Sequence, residues 1–90
     1  MLIALMAYDK KGALDVRKAN RDAHVAYLKS SEAVVQAGPF LDAEGEMCGS
    51  LIVLDVVDME AAQTWAASDP YGQAGLFQNV TLQAWNKVIG

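Results

Sequence analysis

The opening run of residues 1–8 is apolar or aromatic at every position. Side chains of a β-strand alternate between the two faces of its sheet, so this run predicts a strand that is covered on both sides. The charged and flexible residues Asp9 to Gly12 then end the strand. The run is too short for a membrane span and has no basic leader or cleavage pattern of a signal peptide. It therefore predicts an inner strand, and both faces of its sheet need something packed on them.

Two helices are predicted from periodicity and capping signals. The first is an amphipathic helix over residues 14–30. The second follows Asp58, a good N-cap residue, and is stopped by Pro70. Because a residue before proline is driven out of the α region, Asp69 is expected to be extended and to cap one further helical turn.

Three more strands are predicted, over residues 32–41, 49–57 and 77–89. A hairpin turn at residues 42–46 joins the first two of these. Pro39 has no backbone donor, so the strand that contains it is expected at a sheet edge or a bulge.

The predicted order is βαββαβ with a short extra helical turn before the last strand. Right-handed crossovers turn this order into an α+β, ferredoxin-like sheet in a single domain over residues 1–90. Helices cover one face, whereas strands one, three and four are expected to carry large apolar side chains on both. Apolar residues make up 53% of the chain, more than a small monomer buries. We therefore expect a homodimer through the sheet faces, or a higher oligomer, that forms a dimeric α+β barrel with a pocket between each sheet and its own helices.

Composition excludes several classes of partner. The net charge is −4 and the seven Lys and Arg residues form no run, which argues against a nucleic-acid partner. The single Cys48 cannot close an intrachain disulfide, and one Cys with one His is too few for a zinc site. No phosphate-binding glycine loop is present. The sequence predicts a cytoplasmic protein that binds a small molecule, without a metal, a cofactor or a membrane.

The first predicted helix carries the only histidine of the chain. Positions seven apart nearly superimpose on a helix, so Arg17 lies beneath His24, with Arg21 on the turn between them. Other positions supply the apolar face that is expected to dock on the sheet: Val16, Ala19, Ala23, Tyr27 and Leu28. His24 is then expected at the border between the core and water, within reach of a pocket. The alternative is an exposed helix histidine without a role.

His24 and Asp69 are the candidate catalytic pair. A histidine that acts as a general base needs a carboxylate to fix its tautomer and to stabilise the imidazolium. Both helices lie on the same side of the predicted sheet, so the two side chains could meet. Asp69 could also be a simple N-cap for the turn that follows it, and the two roles can coexist.

Arg17 and Ser50 are candidates for substrate binding. The guanidinium groups of Arg17 and Arg21 could hold a carboxylate or enolate oxygen of a small anionic substrate, and Arg17 is the better candidate because it shares the line of His24. The alternative is that these helix arginines are solvated or paired with a residue such as Asp22. Ser50 could donate a hydrogen bond into the pocket or be an ordinary strand-end serine. Cys48 is interpreted as a small buried hydrophobe rather than a nucleophile. Five aromatic residues are assigned to the core or an interface: Tyr8, Tyr27, Trp65, Tyr71 and Trp85.

Short motifs are spread along nearly the whole chain. Besides the opening strand they are Arg17 with Arg21-Asp22-Ala23-His24 and Leu28, Ala37-Gly38-Pro39-Phe40, Gly49-Ser50, Glu60-Ala61-Ala62, Asp69-Pro70-Tyr71 and Ala74-Gly75. With these motifs the sequence resembles the YCII-related (YciI-like) family. The resemblance implies a ferredoxin-like dimer of the α+β barrel kind, with a His-Asp active site at His24 and Asp69. Related barrels include muconolactone isomerase-like enzymes, dehydrochlorinases of hydroxylated rings, cofactor-independent monooxygenases and some haem proteins.

The leading hypothesis is a small dimeric enzyme that uses His24 to move a proton on a small anionic or ring-shaped metabolite. Asp69 would orient His24, Arg17 would hold the anion and Ser50 would assist. Elimination and isomerisation need little more than a base and a group that steadies the enolate. One alternative is a non-catalytic ligand-binding or assembly module of the same fold. A further one is haem binding with His24 as the proximal ligand.

Overall fold

The computed structural model describes all 90 residues. Its elements are, in chain order, β1 (Leu2–Asp9), α1 (Leu14–Ser30), β2 (Val34–Leu41), β3 (Met47–Asp55), α2 (Met59–Ala67), α3 (Pro70–Gln73) and β4 (Phe77–Trp85). The four strands form one antiparallel sheet in the order β2-β3-β1-β4. The predicted α+β, ferredoxin-like βαββαβ order with an extra helical turn is therefore confirmed. No helix is long and apolar enough to cross a membrane.

The helix-facing side of the sheet carries the core. On β1 it presents Ile3, Leu5 and Ala7, all buried. Directly opposite residues share a face, and Ile3 and Leu5 pair with Leu54 and Ile52 of β3. From α2 the core receives Ala62 and Trp65. This core fixes the helices on one side of the sheet.

The turns and caps follow the local signals of the sequence. The side chain of Asp58 accepts a hydrogen bond from the Ala61 backbone at 2.8 Å and so caps α2. In the hairpin, the Asp42 carboxylate accepts from the backbone N–H groups of Glu44 and Glu46, and Gly45 has a φ of 79°. Glycine adopts such a left-handed conformation without strain. The predicted hairpin turn is confirmed.

The face of α1 that points at the sheet differs from the predicted one. Val16, Ala19 and Ala23 are exposed, whereas Arg17 and His24 are buried at 2% and 6% exposure. The expected apolar docking face is therefore wrong at three positions, and His24 lies inside the structure rather than at the border. Hydrophobic periodicity assigns charged residues to the outside of a helix. Here each polar side chain meets a carboxylate from another element, which compensates the cost of burial.

The opposite face of the sheet has no helix on it. Along β1 it presents Leu2, Ala4 and Met6, which are half-buried, and Tyr8, which is exposed. Leu51 of β3, opposite Met6, is also half-buried. We call this side the uncovered face.

The strand at one end of the uncovered face is more polar than predicted. On β4 this face carries Asn79, Thr81 and Gln83, followed by Trp85. The expectation that β4 carries large apolar side chains on both faces therefore holds on this side only at Trp85. The strand also ends at Trp85 rather than at residue 89. Trp85 pairs with Leu2, the first residue of β1, so no ladder partner remains beyond it.

Candidate active site

His24 and Asp69, the candidate catalytic pair, contact each other inside the structure. His24 Nδ1 and Asp69 Oδ1 are 2.8 Å apart, and both side chains are almost completely buried. Asp69 follows α2 in an extended conformation and caps α3, because the same Oδ1 accepts a hydrogen bond from the Tyr71 backbone at 3.0 Å. The capping role and the pairing role therefore coexist in one residue. Its other oxygen, Oδ2, is buried without a hydrogen-bond partner.

This contact assigns the two ring nitrogens of His24. A carboxylate only accepts hydrogen bonds, so Nδ1 carries the proton that is donated to Asp69. In the neutral ring Nε2 then has a free lone pair. Nε2 is the atom of His24 that remains for a proton from a ligand.

Arg17 is held in a second buried pair, with Asp9. Its Nε and Nη2 donate to the two carboxylate oxygens of Asp9 at 2.7 and 2.8 Å, and Nη2 also donates to Ser50 Oγ at 3.0 Å. Burial lowers the pKa of Arg17, but the hydrogen bonds and the charge of Asp9 outweigh it and leave the pKa raised. The guanidinium therefore stays charged, and its charge is balanced by Asp9. None of these three hydrogen bonds uses the third nitrogen, Nη1.

The residue before Ser50 on β3 is a closely packed glycine. A Cβ at Gly49 would overlap the backbone oxygen of Ala7 and touch the ring of Phe40, so only glycine fits there. The absence of a side chain lets Tyr8 and Phe40, on the strands that flank Gly49, stack with ring centroids 5.4 Å apart. Ser50 then points to the helix side, opposite Ala7.

The ring of Tyr71 contacts both of these buried groups. It stacks on His24 with ring centroids 3.8 Å apart and an interplanar angle of 14°. Arg17 Cζ lies 4.6 Å from the centroid of the same ring. Burial raises the pKa of Tyr71, and the positive charges of Arg17 and Arg21 oppose this rise without cancelling it. Tyr71 is therefore a neutral phenol that links the His24 pair to the Arg17 pair.

A cavity of about 380 Å³ opens beside these residues, between α1 and the helix-facing side of β2 and β3. Of the predicted site residues, Arg17, His24 and Ser50 line it. Asp69 does not line the cavity, and it contacts His24 through the ring nitrogen Nδ1. The expected pocket between the sheet and its own helices is therefore present. No cluster of three or more His, Cys, Asp or Glu side chains in the structure could hold a metal ion.

The fold and these motifs match known proteins. A family model described as the YCII-related domain matches residues 1–86. The chain belongs to the YCII-related family. Protein YciI of Escherichia coli is 32% identical over an alignment of 98 positions, which covers 99% of this chain and all of that protein. An uncharacterized protein of Haemophilus influenzae is 33% identical over the same coverage. The resemblance given by the sequence motifs is thereby confirmed.

One solved structure with this fold is that of an enzyme. The chain resembles 5-chloro-2-hydroxyhydroquinone dehydrochlorinase (TftG) from Burkholderia phenoliruptrix AC1100, in complex with 2,5-dihydroxybenzoquinone, with a TM-score of 0.89 and 30% identity. The match covers 96% of this chain and 94% of that chain. An antibiotic biosynthesis monooxygenase matches with a TM-score of 0.57 and 14% identity, over 97% of this chain and 100% of that chain. At that identity the likeness concerns the fold alone.

Two residues of the site in this YCII-related chain were missed by sequence reasoning. Asp9 was interpreted only as the end of a strand, and Tyr71 only as a core aromatic. Asp9 continues the series Ile3, Leu5 and Ala7 on the helix-facing side of β1, so strand alternation could have placed its carboxylate under α1. Tyr71 had a weaker signal, since it directly follows the predicted Asp69-Pro70 cap.

Cys48 does not belong to the site. Its thiol is half-buried and lies 3.6 Å from the backbone oxygen of Phe40, a weak hydrogen bond. No base contacts the sulfur. The interpretation of Cys48 as a packing residue fits this environment.

Proposed function

We propose that this protein is a small enzyme that moves a proton on a small anionic or ring-shaped metabolite, in an elimination or an isomerisation. The observation that carries the proposal is the buried His24–Asp69 contact of 2.8 Å beside a cavity of about 380 Å³. A base that is oriented by a carboxylate and borders a pocket has the arrangement that general-base catalysis needs.

In this proposal His24 Nε2 takes the proton and becomes the cationic imidazolium. Asp69 is the positioning residue: it fixes the tautomer through Nδ1 and stabilises the positive charge that forms. Tyr71 adds to this stabilisation, because a cationic ring is attracted to the electron-rich face of an aromatic ring stacked on it. The three residues would lower the cost of charging His24 inside the structure.

Arg17 and Ser50 would steady the negative charge that develops on the substrate. The proton of Ser50 is free to be donated, because its oxygen already accepts a hydrogen bond from Arg17. Arg17 Nη1 supplies further N–H donors. Fixed donors that are aimed at a developing oxyanion lower the barrier without reorganising during the reaction.

The similarity to TftG supports this reaction class. That protein is by name a dehydrochlorinase of a chlorinated, hydroxylated ring, and its structure holds a dihydroxybenzoquinone. In such an elimination a hydroxyl proton is first moved to the ring carbon that bears chlorine, so that a carbonyl forms and this carbon becomes tetrahedral. A second hydroxyl proton is then removed, a second carbonyl forms, and chloride leaves with the electrons of the C–Cl bond. The step loses HCl overall and needs no oxidant, so a base and an oxyanion site suffice.

We further propose that the protein is a homodimer through the uncovered face. Leu2, Ala4, Met6 and Leu51 leave apolar surface on this side of the sheet, with Tyr8 exposed at one end. Packing two such faces would remove this surface from water, at roughly 25 cal/mol per Å² buried. The cavity lies on the other side of the sheet, so each protomer keeps its own site.

The test is a screen of small hydroxylated aromatic and lactone compounds for thermal stabilisation of the protein, followed by turnover assays. 5-Chloro-2-hydroxyhydroquinone is included, with chloride release as the readout. We expect His24→Gln to lower turnover at least about a hundredfold, the usual contribution of a general base. Circular dichroism establishes that each variant is folded.

A second measurement is independent of any substrate. Imidazole nitrogen NMR shifts report which ring nitrogen carries the proton, and we expect Nδ1–H in the wild-type protein and a mixture of tautomers in Asp69→Asn. Compounds that bind wild type and His24→Gln equally without turnover would favour a non-catalytic binding module. A wild-type ring protonated on Nε2 alone would contradict the proposed pairing.

A further inference from the structure

The charges around the cavity are unevenly compensated. Its lining includes Arg17, Arg21 and Lys29 beside His24 and contains no Asp or Glu, although the chain as a whole has a net charge of −4. The charge of Arg17 is cancelled by Asp9, and His24 is paired with a carboxylate. Arg21 and Lys29 take part in no ion pair. They are therefore the uncompensated positive charges of the site.

Arg21 and Lys29 lie at the mouth of the cavity. Both line it and both are exposed, whereas Arg17 and His24 are buried deeper. They are eight residues apart on α1, about 12 Å along the helix axis, with Val25 of the cavity lining between them. The positive charge of Arg21 also opposes the rise in the pKa of Tyr71, so Arg21 acts electrostatically on the site it lines. Uncompensated charge at the mouth of a cleft raises the local concentration of oppositely charged ligands.

The wall across from α1 is apolar. It is formed on β2 and β3 by Val34, Ala37, Pro39 and Ile52. A cavity of about 150 Å³ accepts benzene, so about 380 Å³ has room for one ring with several substituents. The apolar wall suits the body of such a ring, and the polar groups at the floor suit its reacting oxygen.

We propose that the site takes a planar ring with a permanent anionic group, and that Arg21 and Lys29 hold this group at the mouth while the reacting atoms face His24. This assignment deepens the proposed function and rests on it for the role of the inner residues. The assignment gives different partners to two negative charges of the ligand. The permanent charge of the ligand is held by the two outer cations, whereas the charge that develops during reaction meets Arg17 and Ser50. Arg21 and Lys29 then decide which rings enter.

The test uses two probes that differ only in charge, 4-hydroxybenzoate and 4-hydroxybenzamide. Binding to the folded wild-type protein is measured by calorimetry or by NMR shifts, so no turnover is needed. We expect the acid to bind more tightly than the amide, and Arg21→Gln and Lys29→Gln each to weaken the acid about threefold to fivefold, as exposed ion pairs do. The double variant should lose about tenfold or more. Higher salt should remove much of the difference between the probes.

Lys18→Gln is the matched control. Lys18 is an exposed lysine on the same helix that does not line the cavity, so its substitution changes the net charge equally. Affinity for the acid should stay unchanged in this variant, and affinity for the amide should be the same in all variants. Equal binding of the two probes by wild type, equal losses in Lys18→Gln and Lys29→Gln, or no binding of the acid would each overturn the assignment. Failure of the proposed catalysis would appear differently, as charge-selective binding without turnover.

Discussion

Asp9→Asn removes the charge that compensates the buried guanidinium of Arg17 and keeps the size of the side chain. Asp9 and Arg17 are 6% and 2% exposed, and two hydrogen bonds of 2.7 and 2.8 Å join them. Removing one partner of a buried ion pair costs about 3 to 5 kcal/mol, because the other charge is left buried and uncompensated. We expect Asp9→Asn to lose about this much free energy of unfolding, a large part of the stability of a small domain.

Urea denaturation measures the loss directly. With a slope of about 1 to 2 kcal/mol per M for a small domain, the midpoint should fall by roughly 1.5 to 5 M. Arg17→Met should also destabilise, because it leaves the Asp9 carboxylate buried. The double variant should be much less destabilised than the sum of the two, since both charges are then absent.

Asp22→Asn is the control for this series. Asp22 is an exposed carboxylate on α1 without an ion pair, so its loss should change stability by no more than about 0.5 kcal/mol. The reasoning is refuted if Asp9→Asn is as mild as this control. It is also refuted if the effects of Asp9→Asn and Arg17→Met simply add in the double variant.

Two further predictions concern pH and assembly. Burial raises the pKa of Tyr71 and Tyr27 above the ordinary tyrosine value of about 10. The unfolded chain therefore releases these protons first, and the contribution to stability, complete below about pH 10, should be lost as the pH rises through the folded pKa values. Urea midpoints from about pH 8 to about pH 11 test this, and an equally steep fall in Tyr71→Phe would contradict a contribution from that residue. Leu51→Glu places a charge in the middle of the uncovered face and should convert a dimer to a monomer in sedimentation, whereas Val16→Glu on the outer side of α1 should not. An unchanged mass for Leu51→Glu would argue against the dimer.

Local signals in the sequence were enough for most of the fold. The caps at Asp58 and Asp69, the hairpin and the alternation of β1 each depend on neighbours within a few residues, and each was predicted correctly. The end of β4 was not, because a strand ends where its partner does. Leu2 pairs with Trp85, and only the register of the sheet contains that information.

The sequence predicted part of the site but not all of it. The meeting of His24 with Asp69 followed from the shared side of the sheet and was found as expected. The sequence did not indicate that Arg17 and His24 of α1 face the interior, because their burial depends on carboxylates 8 and 45 positions away along the chain. The pattern of residues within a helix does not show that a carboxylate far along the chain will pair with one of its polar side chains. Arg17 was expected to be free for a ligand, yet the pair with Asp9 occupies two of its nitrogens.

The buried polar side chains of α1 belong both to the packing of the helix and to the candidate site. Arg17 and His24 hold the helix against its surroundings and also line the floor of the cavity. A change at the floor therefore risks the attachment of the whole helix. The far wall on β2 is an edge strand, and its residues on the cavity side, Ala37 and Pro39, are exposed. Under the proposed function, descendants of this chain could therefore acquire new substrates by altering that wall while His24 and Asp69 stay the same.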